Sequence, residues 1–255
     1  MIRQAAALAV LLATLPAAAA PGPRITIIID DLGHSAADAR RVASLPGPVA
    51  CAVLPGTPYA EAVARACHEA GKDVLLHLPM QSSDPAADPG PGGLGVDQTR
   101  AELGQRLDAA LAGVPHARGV NNHMGSALTP RVAHMHWLMR DLAGRGLWFV
   151  DSYTTAASVA AQSAGLAGVP ALRRDIFLDN ERETGAISVQ WERLLGIAAA
   201  GGRAVAIGHP HAETLAVLEA LLPGLTARGF SLVSPTDMMA ETPQGDDRWR
   251  EYSSR

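Results

Sequence analysis

Two adjacent carboxylates, Asp30 and Asp31, end the apolar run Ile25-Thr26-Ile27-Ile28-Ile29. Side by side they repel, and both ionise readily at neutral pH only with a cation or another strong positive partner beside them. A plainer reading stays open, in which one Asp caps the following turn and the other is solvated. Farther along the chain, His77, His123, Asp151, Asp179 and His209 each close an apolar stretch in the same way. One carboxylate with two imidazoles suits zinc or another divalent first-row metal and leaves a position open for water. An ion so held activates that water or polarises a carbonyl. Taken singly, each histidine also has a structural reading as a hydrogen-bonded strand end.

Those residues meet only if the elements carrying them share one end. An unbroken β-branched run such as Ile25–Ile29 reads as a strand covered on both faces, as in a parallel α/β sheet. Further strands are expected at Val49–Leu54, Asp73–Leu78, Arg118–Gly125, Leu147–Ser152, Ala204–His211 and Phe230–Val233, with the short runs Ala171–Asp175 and Phe177–Asn180 between the fifth and sixth of the seven. Helices alternate with them, opened by Ser35 with Asp38, Thr57-Pro58, Thr99 with Glu102, Thr129-Pro130 and Ser234-Pro235. The order implies parallel strands with right-handed crossovers. Seven or eight strands in one domain, with no dinucleotide fingerprint, favour a closed or nearly closed (β/α) barrel over an open sheet. In either architecture ligands sit at the carboxyl ends of the strands, where all the polar residues above are found. The aperiodic stretch from Gln81 to Val96, rich in Gly, Pro and Asp, leaves the His77 strand and reads as a rim or lid over that end.

Met1-Ile2-Arg3-Gln4, an apolar run through Leu15, then Pro16 and Ala18-Ala19-Ala20 have the form of a secretory signal peptide over residues 1–20. Export, to the periplasm or beyond, is therefore expected, with a domain over 21–241 and a polar tail over 242–255. No later segment is apolar enough to span a bilayer. A formal charge of -4, without a basic stripe, argues against nucleic acid as a partner, and 4% aromatic residues argue against a broad stacking platform. In an oxidising compartment Cys51 and Cys67 could pair, and buried free thiols are the alternative.

The runs Ile28-Ile29-Asp30-Asp31-Leu32-Gly33-His34, Ala52-Val53-Leu54-Pro55-Gly56-Thr57, His77-Leu78-Pro79-Met80-Gln81, Asn121-Asn122-His123-Met124-Gly125-Ser126, Phe149-Val150-Asp151-Ser152 and Ile207-Gly208-His209-Pro210 resemble the divergent polysaccharide deacetylases. That branch of the carbohydrate esterases removes acetyl groups from glycans, and the resemblance runs over about residues 24 to 240. It implies a distorted (β/α) barrel with a divalent metal, usually zinc, at its mouth. It also implies Asp30 as general base, Asp31 and His77 as metal ligands, and His209 as the group that protonates the leaving amine or steadies the intermediate. The expected substrate is an acetylated glycan of the cell envelope, of peptidoglycan type.

Two departures stand out. Ordinary members carry a second ligand histidine four residues after the first, where this chain has Gln81, and His123 at the next strand end is the geometric replacement. The arginine that orients the catalytic Asp has no counterpart at Asn121-Asn122, which leaves Arg173 or Arg174 as candidates. Asp151, Asp179, Arg174 and Asn122 are expected to orient these groups or bind substrate. The departures keep a second reading open, a catalytically impaired glycan-binding or regulatory module. A phosphoester hydrolase ranks lower because a two-metal site asks for more carboxylates. His34, His68, His116, His134, His136 and His211 are read as structural or surface residues, with His34 and His211 nearest the site.

Overall fold

The computed structural model describes residues 22–240; the expected signal peptide and the polar tail lie outside them. In chain order the elements are β1 (Arg24–Leu32), α1 (Ala36–Ala43), β2 (Ala50–Val53), α2 (Ala60–Glu69), β3 (Val74–Met80), α3 (Arg100–Ala112), β4 (Ala117–Met124) and α4 (Val132–Arg145). Then follow β5 (Trp148–Asp151), α5 (Ala160–Ala167), β6 (Ala171–Arg173), β7 (Ile176–Phe177), α6 (Thr184–Gly201), β8 (Arg203–Gly208), α7 (Ala212–Leu221), β9 (Ser231–Leu232) and α8 (Pro235–Ala240). Every pairing is parallel, in the order β6-β5-β4-β3-β2-β1-β8-β7, with β9 added to β1.

The edges of this sheet, β6 and β7, are consecutive in the chain and do not pair. Arg174 and Asp175 cross between them, the Arg174 amide donating to Asp151 O and the Asp175 amide to Val205 O. The sheet therefore curls until two residues span its gap, which is the distorted barrel expected from the sequence.

Alternation along each strand separates two apolar regions. Ile25, Ile27 and Ile29 pack outward under the helices, as do Leu76, Leu78 and Met80. Ile28, Ala50, Ala52, Leu75, Trp148, Val150, Leu172, Val205 and Ile207 fill the cylinder, and Met238 of α8 packs among them. Gly119 is required there, because a Cβ on it would overlap the Trp148 indole. The amino-terminal end is closed by α8, whose Thr236 amide donates to Asp73 Oδ2 at 2.9 Å. No helix of the described residues is long and apolar enough to cross a membrane.

The capping box of Thr99 and Glu102 forms, and Ser35 and Ser234 accept from the amides of Asp38 and Asp237. The two Thr-Pro pairs do not open helices. Thr57 and Thr129 instead donate to Leu54 O and Gly125 O within preceding turns, and α2 and α4 begin at Ala60 and Val132. The stretch after β3 is also less free than a lid. Leu94 is buried and pairs with Met80, the Gln81 amide donates to Leu94 O, and Gln81 Oε1 accepts from the Val96 amide. Cys51 on β2 and Cys67 on α2 are joined in a disulfide.

Candidate metal centre

Strand parity decides which side chains enter the cylinder mouth. Asp30 shares the inward face of β1 with Ile28, His77 that of β3 with Leu75, and His209 extends the inward face of β8 beyond Val205 and Ile207. Asn121 and His123 occupy alternate positions of β4 and so point the same way. Asp31 should then point outward. It does not, because its backbone turns left-handed, with φ of 56°, at a bulge between Ile29 and Leu32. For a residue with a Cβ this conformation costs about 1–2 kcal/mol. It brings a second carboxylate to the mouth that regular alternation would have sent away. Met124 and Tyr153, just past the inward residues of β4 and β5, are left-handed too, so three of the four such non-glycine residues among those described lie at this end of the barrel, the fourth being His116 ahead of β4.

The resulting geometry is a small triangle. Asp31 Oδ1 lies 3.2 Å from His77 Nε2 and 3.0 Å from His123 Nδ1, and the two nitrogens are 3.1 Å apart. A tetrahedral ion bonded at about 2.0–2.2 Å spaces its donor atoms by roughly 3.3–3.6 Å, so three donors this close nearly match one face of its coordination shell. Asp31 Oδ1 is shielded from solvent and receives no well-directed hydrogen bond from either ring. A buried carboxylate oxygen left in that state, beside two imidazole nitrogens, is what a cation site looks like from its ligands. One carboxylate, two imidazoles and an open side facing solvent fit a divalent ion.

The charges agree. Burial pushes the Asp30 carboxyl up, against the nearby His77 and His209. Burial also opposes ionisation of Asp31, but contact with His123 and His77 and their charge hold it well below the usual carboxylate range. His77 is raised: its burial is outweighed by Asp30 and Asp31. The cluster is thus built to hold positive charge, and protons and a metal compete for it.

Asn121, fully buried, links two members of the cluster. Its Oδ1 is 3.0 Å from His77 Nδ1, and its Nδ2 donates to Asp30 Oδ1 at 2.8 Å and to Ser152 Oγ at 3.4 Å. Across the mouth, His209 Nε2 is 3.9 Å from Asp31 Oδ2. Asp179 takes the other side of His209, accepting from its Nδ1 at 2.9 Å and its backbone amide at 2.6 Å, while Thr214 Oγ1 donates to Asp179 Oδ2 at 2.7 Å. Burial alone would lower the His209 imidazole, but the hydrogen bond and charge of Asp179, with Asp30 and Asp31 behind, push it up to about 9. His211 lies close enough to Asp179 and His209 to form a second cluster, yet both Asp179 oxygens are already engaged, so this group orients His209.

The remaining expected residues stand farther back. Asn122 faces away from the triangle and braces β4 against the chain after β5, its Nδ2 donating to Met124 O and its Oδ1 accepting from the Ser152 amide. Asp151 accepts from Ser158 Oγ and the Tyr153 amide, away from the histidines. Arg174 donates through Nε to Ser152 O and through Nη2 to Tyr153 O, and its guanidinium lies 3.7 Å over the Phe177 ring. Its hydrogen bonds go to backbone carbonyls, and the side chain that meets Asp30 is Asn121. The sequence reading passed over Asn121, Ser152 and Thr214. The signal that singles out Asn121 was present, since it shares the parity of His123 and Asn122 does not.

Two openings lie at this end of the barrel, and one of them borders the triangle through Asp31. One, of about 200 Å³, lies on the β1–β8 side between Asp31, His34, His209 and His211. The other, of about 470 Å³, lies beyond β3 and β4 among Gln81, Ser82, Ser126 and Arg131.

Residues 27–239 match the family model of divergent polysaccharide deacetylases. The chain is 34% identical over 225 residues to the uncharacterized protein YibQ of Escherichia coli (strain K12), an alignment spanning 88% of this chain and 69% of that one. Among solved structures, the uncharacterized protein ATU2773 from Agrobacterium tumefaciens C58 superposes with a TM-score of 0.82 at 24% identity, over 88% of this chain and 92% of that one. The T48 deacetylase, solved with substrate, superposes with a TM-score of 0.53 at 11% identity, over 87% and 92%. At these identities the two structures show a shared fold.

Proposed function

Because the chain belongs to the divergent polysaccharide deacetylase family, we propose that it is an exported, metal-dependent hydrolase that removes acetyl groups from a cell-envelope glycan. The observation that carries the reading is the triangle of Asp31, His77 and His123, with its shielded and unbonded carboxylate oxygen. Those three residues would hold a divalent ion, for which zinc best suits the donor set. Such an ion supplies Lewis acidity toward water and the acyl oxygen.

The chain's own groups divide the proton transfers. Asp30, buried and raised, accepts a proton from the attacking water. His209, kept protonated by Asp179 and standing across the mouth from Asp30, delivers one to the leaving nitrogen or oxygen. Asp179 and Thr214 fix which ring nitrogen faces the substrate. The opening lined by Asp31 and His209 leaves room for part of a sugar chain beside the reacting acetyl group. Export is supported by the form of residues 1–20 and by the disulfide between Cys51 and Cys67, a bond that persists in oxidising compartments.

The test combines metal analysis with acetate release. Purified protein is expected to retain about one equivalent of zinc and to release acetate from acetylated chitin or peptidoglycan fragments, whereas Asp31→Ala and His77→Ala lose the metal. Wild-type protein that takes up no divalent metal removes the proposal. Metal retention without acetate release favours the glycan-binding module, a reading motivated by Gln81, whose amide is spent on Val96.

A further inference from the structure

We propose that the groove beyond β3 and β4 is a subsite for a sugar unit bearing a carboxylate, and that Arg131 recognises that charge. The inference names a substrate class for the hydrolase reading and rests on it for the part the groove plays in turnover. The binding preference itself needs neither metal nor catalysis. The groove, of about 470 Å³, opens between the stretches of chain that follow the strands carrying His77 and His123. Gln81 stitches those stretches together, its carbonyl accepting from the Ala127 amide at 3.1 Å and its Oε1 from the Val96 amide at 2.9 Å. Ser126 stands three residues past His123, so even a fully extended chain keeps the two backbones within about 10 Å. A sugar held in the groove is thus a near neighbour, along the glycan, of one whose acetyl group lies at the triangle.

The lining offers both kinds of surface that a sugar ring presents. Val96, Ala127 and Pro130 form apolar wall, and Ser82, Ser83 and Ser126 form a hydroxyl cluster. Ser126 Oγ accepts from the Ser83 amide at 2.8 Å and stands 3.0 Å from Ser83 Oγ and 3.3 Å from Ser82 Oγ. Two contacts among three hydroxyls consume two of their three protons, and one is left for a sugar oxygen.

The charge comes from Arg131, for no acidic residue lines the groove. Its backbone is pinned on both sides, the amide donating to Leu128 O and the carbonyl accepting from the Met135 amide. Its exposed guanidinium makes no hydrogen bond or ion pair with any described residue. Elsewhere on the surface, Arg41 and Arg228 are matched by carboxylates of the chain, Glu219 and Glu192. A solvated arginine alone would signify little. Here a rigidly mounted fork of donors borders a hydroxyl-lined groove at the substrate end of the barrel, and a carboxylate is the group that such a fork binds bidentately.

Two acetylated tetrasaccharides serve as probes, one built of N-acetylglucosamine alone and one in which alternate units carry a lactyl ether with a free carboxylate. Calorimetric titration into the chelator-treated full-length protein is expected to show the acidic probe binding about tenfold more tightly. Added salt shrinks that preference. Arg131→Gln abolishes it and Arg131→Lys keeps part of it. Because the guanidinium holds nothing in the fold, both variants should unfold at the wild-type temperature, so a lost preference reports on binding. Equal affinity of the wild type for the two probes, binding of neither, or a preference that survives Arg131→Gln overturns the inference. Acetate release, measured with zinc supplied, separates this inference from the reading it rests on. A wild type that prefers the acidic probe but releases no acetate from either upholds the subsite and overturns the hydrolase. One that deacetylates both with equal kcat/KM and equal affinity does the reverse.

Discussion

The pairing of His209 with Asp179 ties charge to stability. The imidazole titrates near 6.5 in an unfolded chain and is held up to about 9 in the fold. Between those values the folded state binds more protons than the unfolded one, so stability falls as pH rises. The pair's contribution is complete below about 6.5 and is lost as pH climbs through about 9. Denaturant titrations of the chelator-treated protein should show that decline in wild type and a flatter profile in Asp179→Asn. Equal slopes would mean that Asp179 does not hold the proton. Residue identity at the site was legible where one side chain ends a strand, as with Asp30, His77 and His209. It failed for the Asn pair, because two identical residues differ only in the face they occupy, and for Thr214, which reaches Asp179 from a helix 35 positions later. Nothing in the residue types of Asp30-Asp31 told which carboxylate would need a left-handed backbone to reach the mouth.

Elements were legible where periodicity is long and blurred where turn chemistry imitates a cap. A threonine before a proline looks the same whether it starts a helix or closes the turn ahead of one, and both Thr-Pro pairs do the latter. The disulfide is an element-scale restraint, clamping α2 to β2 across a sequence separation of 16 residues. Closing a loop of that size removes unfolded-state entropy worth about 3 kcal/mol. A Cys51→Ser, Cys67→Ser double variant, or wild type under strong reductant, should lose close to that amount in urea unfolding. Because neither cysteine belongs to the triangle, zinc affinity measured on the folded variant should stay within about twofold of wild type. A reduced protein as stable as the oxidised one would show that the bond restrains nothing.

At the scale of the molecule the barrel has a chemical end and a sealed end. Met238 is fully buried inside the cylinder, with α8 held by Asp73 at the end away from the histidines. Met238→Ala leaves a cavity in a closed space and is expected to cost about 2–5 kcal/mol. Thermal unfolding would measure it, and a loss under about 1 kcal/mol would show that the lower core collapses to fill the gap. The parallel barrel class followed from the alternation of strands and helices, but the gap between β6 and β7 did not. Those strands have three and two residues, too few for any period to register.

The central place of β1 bears on when the protein can assemble. One of its edges is met by β2, made soon afterwards, and the other by β8 and β9, which begin only at Arg203 and Ser231. A nascent polypeptide halted before Arg203 has an unmatched row of backbone donors and acceptors along its longest strand, and it also lacks His209. Assembly is consequently expected late in synthesis, once β8 is available to pair with β1. Arrested chains of increasing length should stay open to protease until β8 has emerged and closed the free edge of β1.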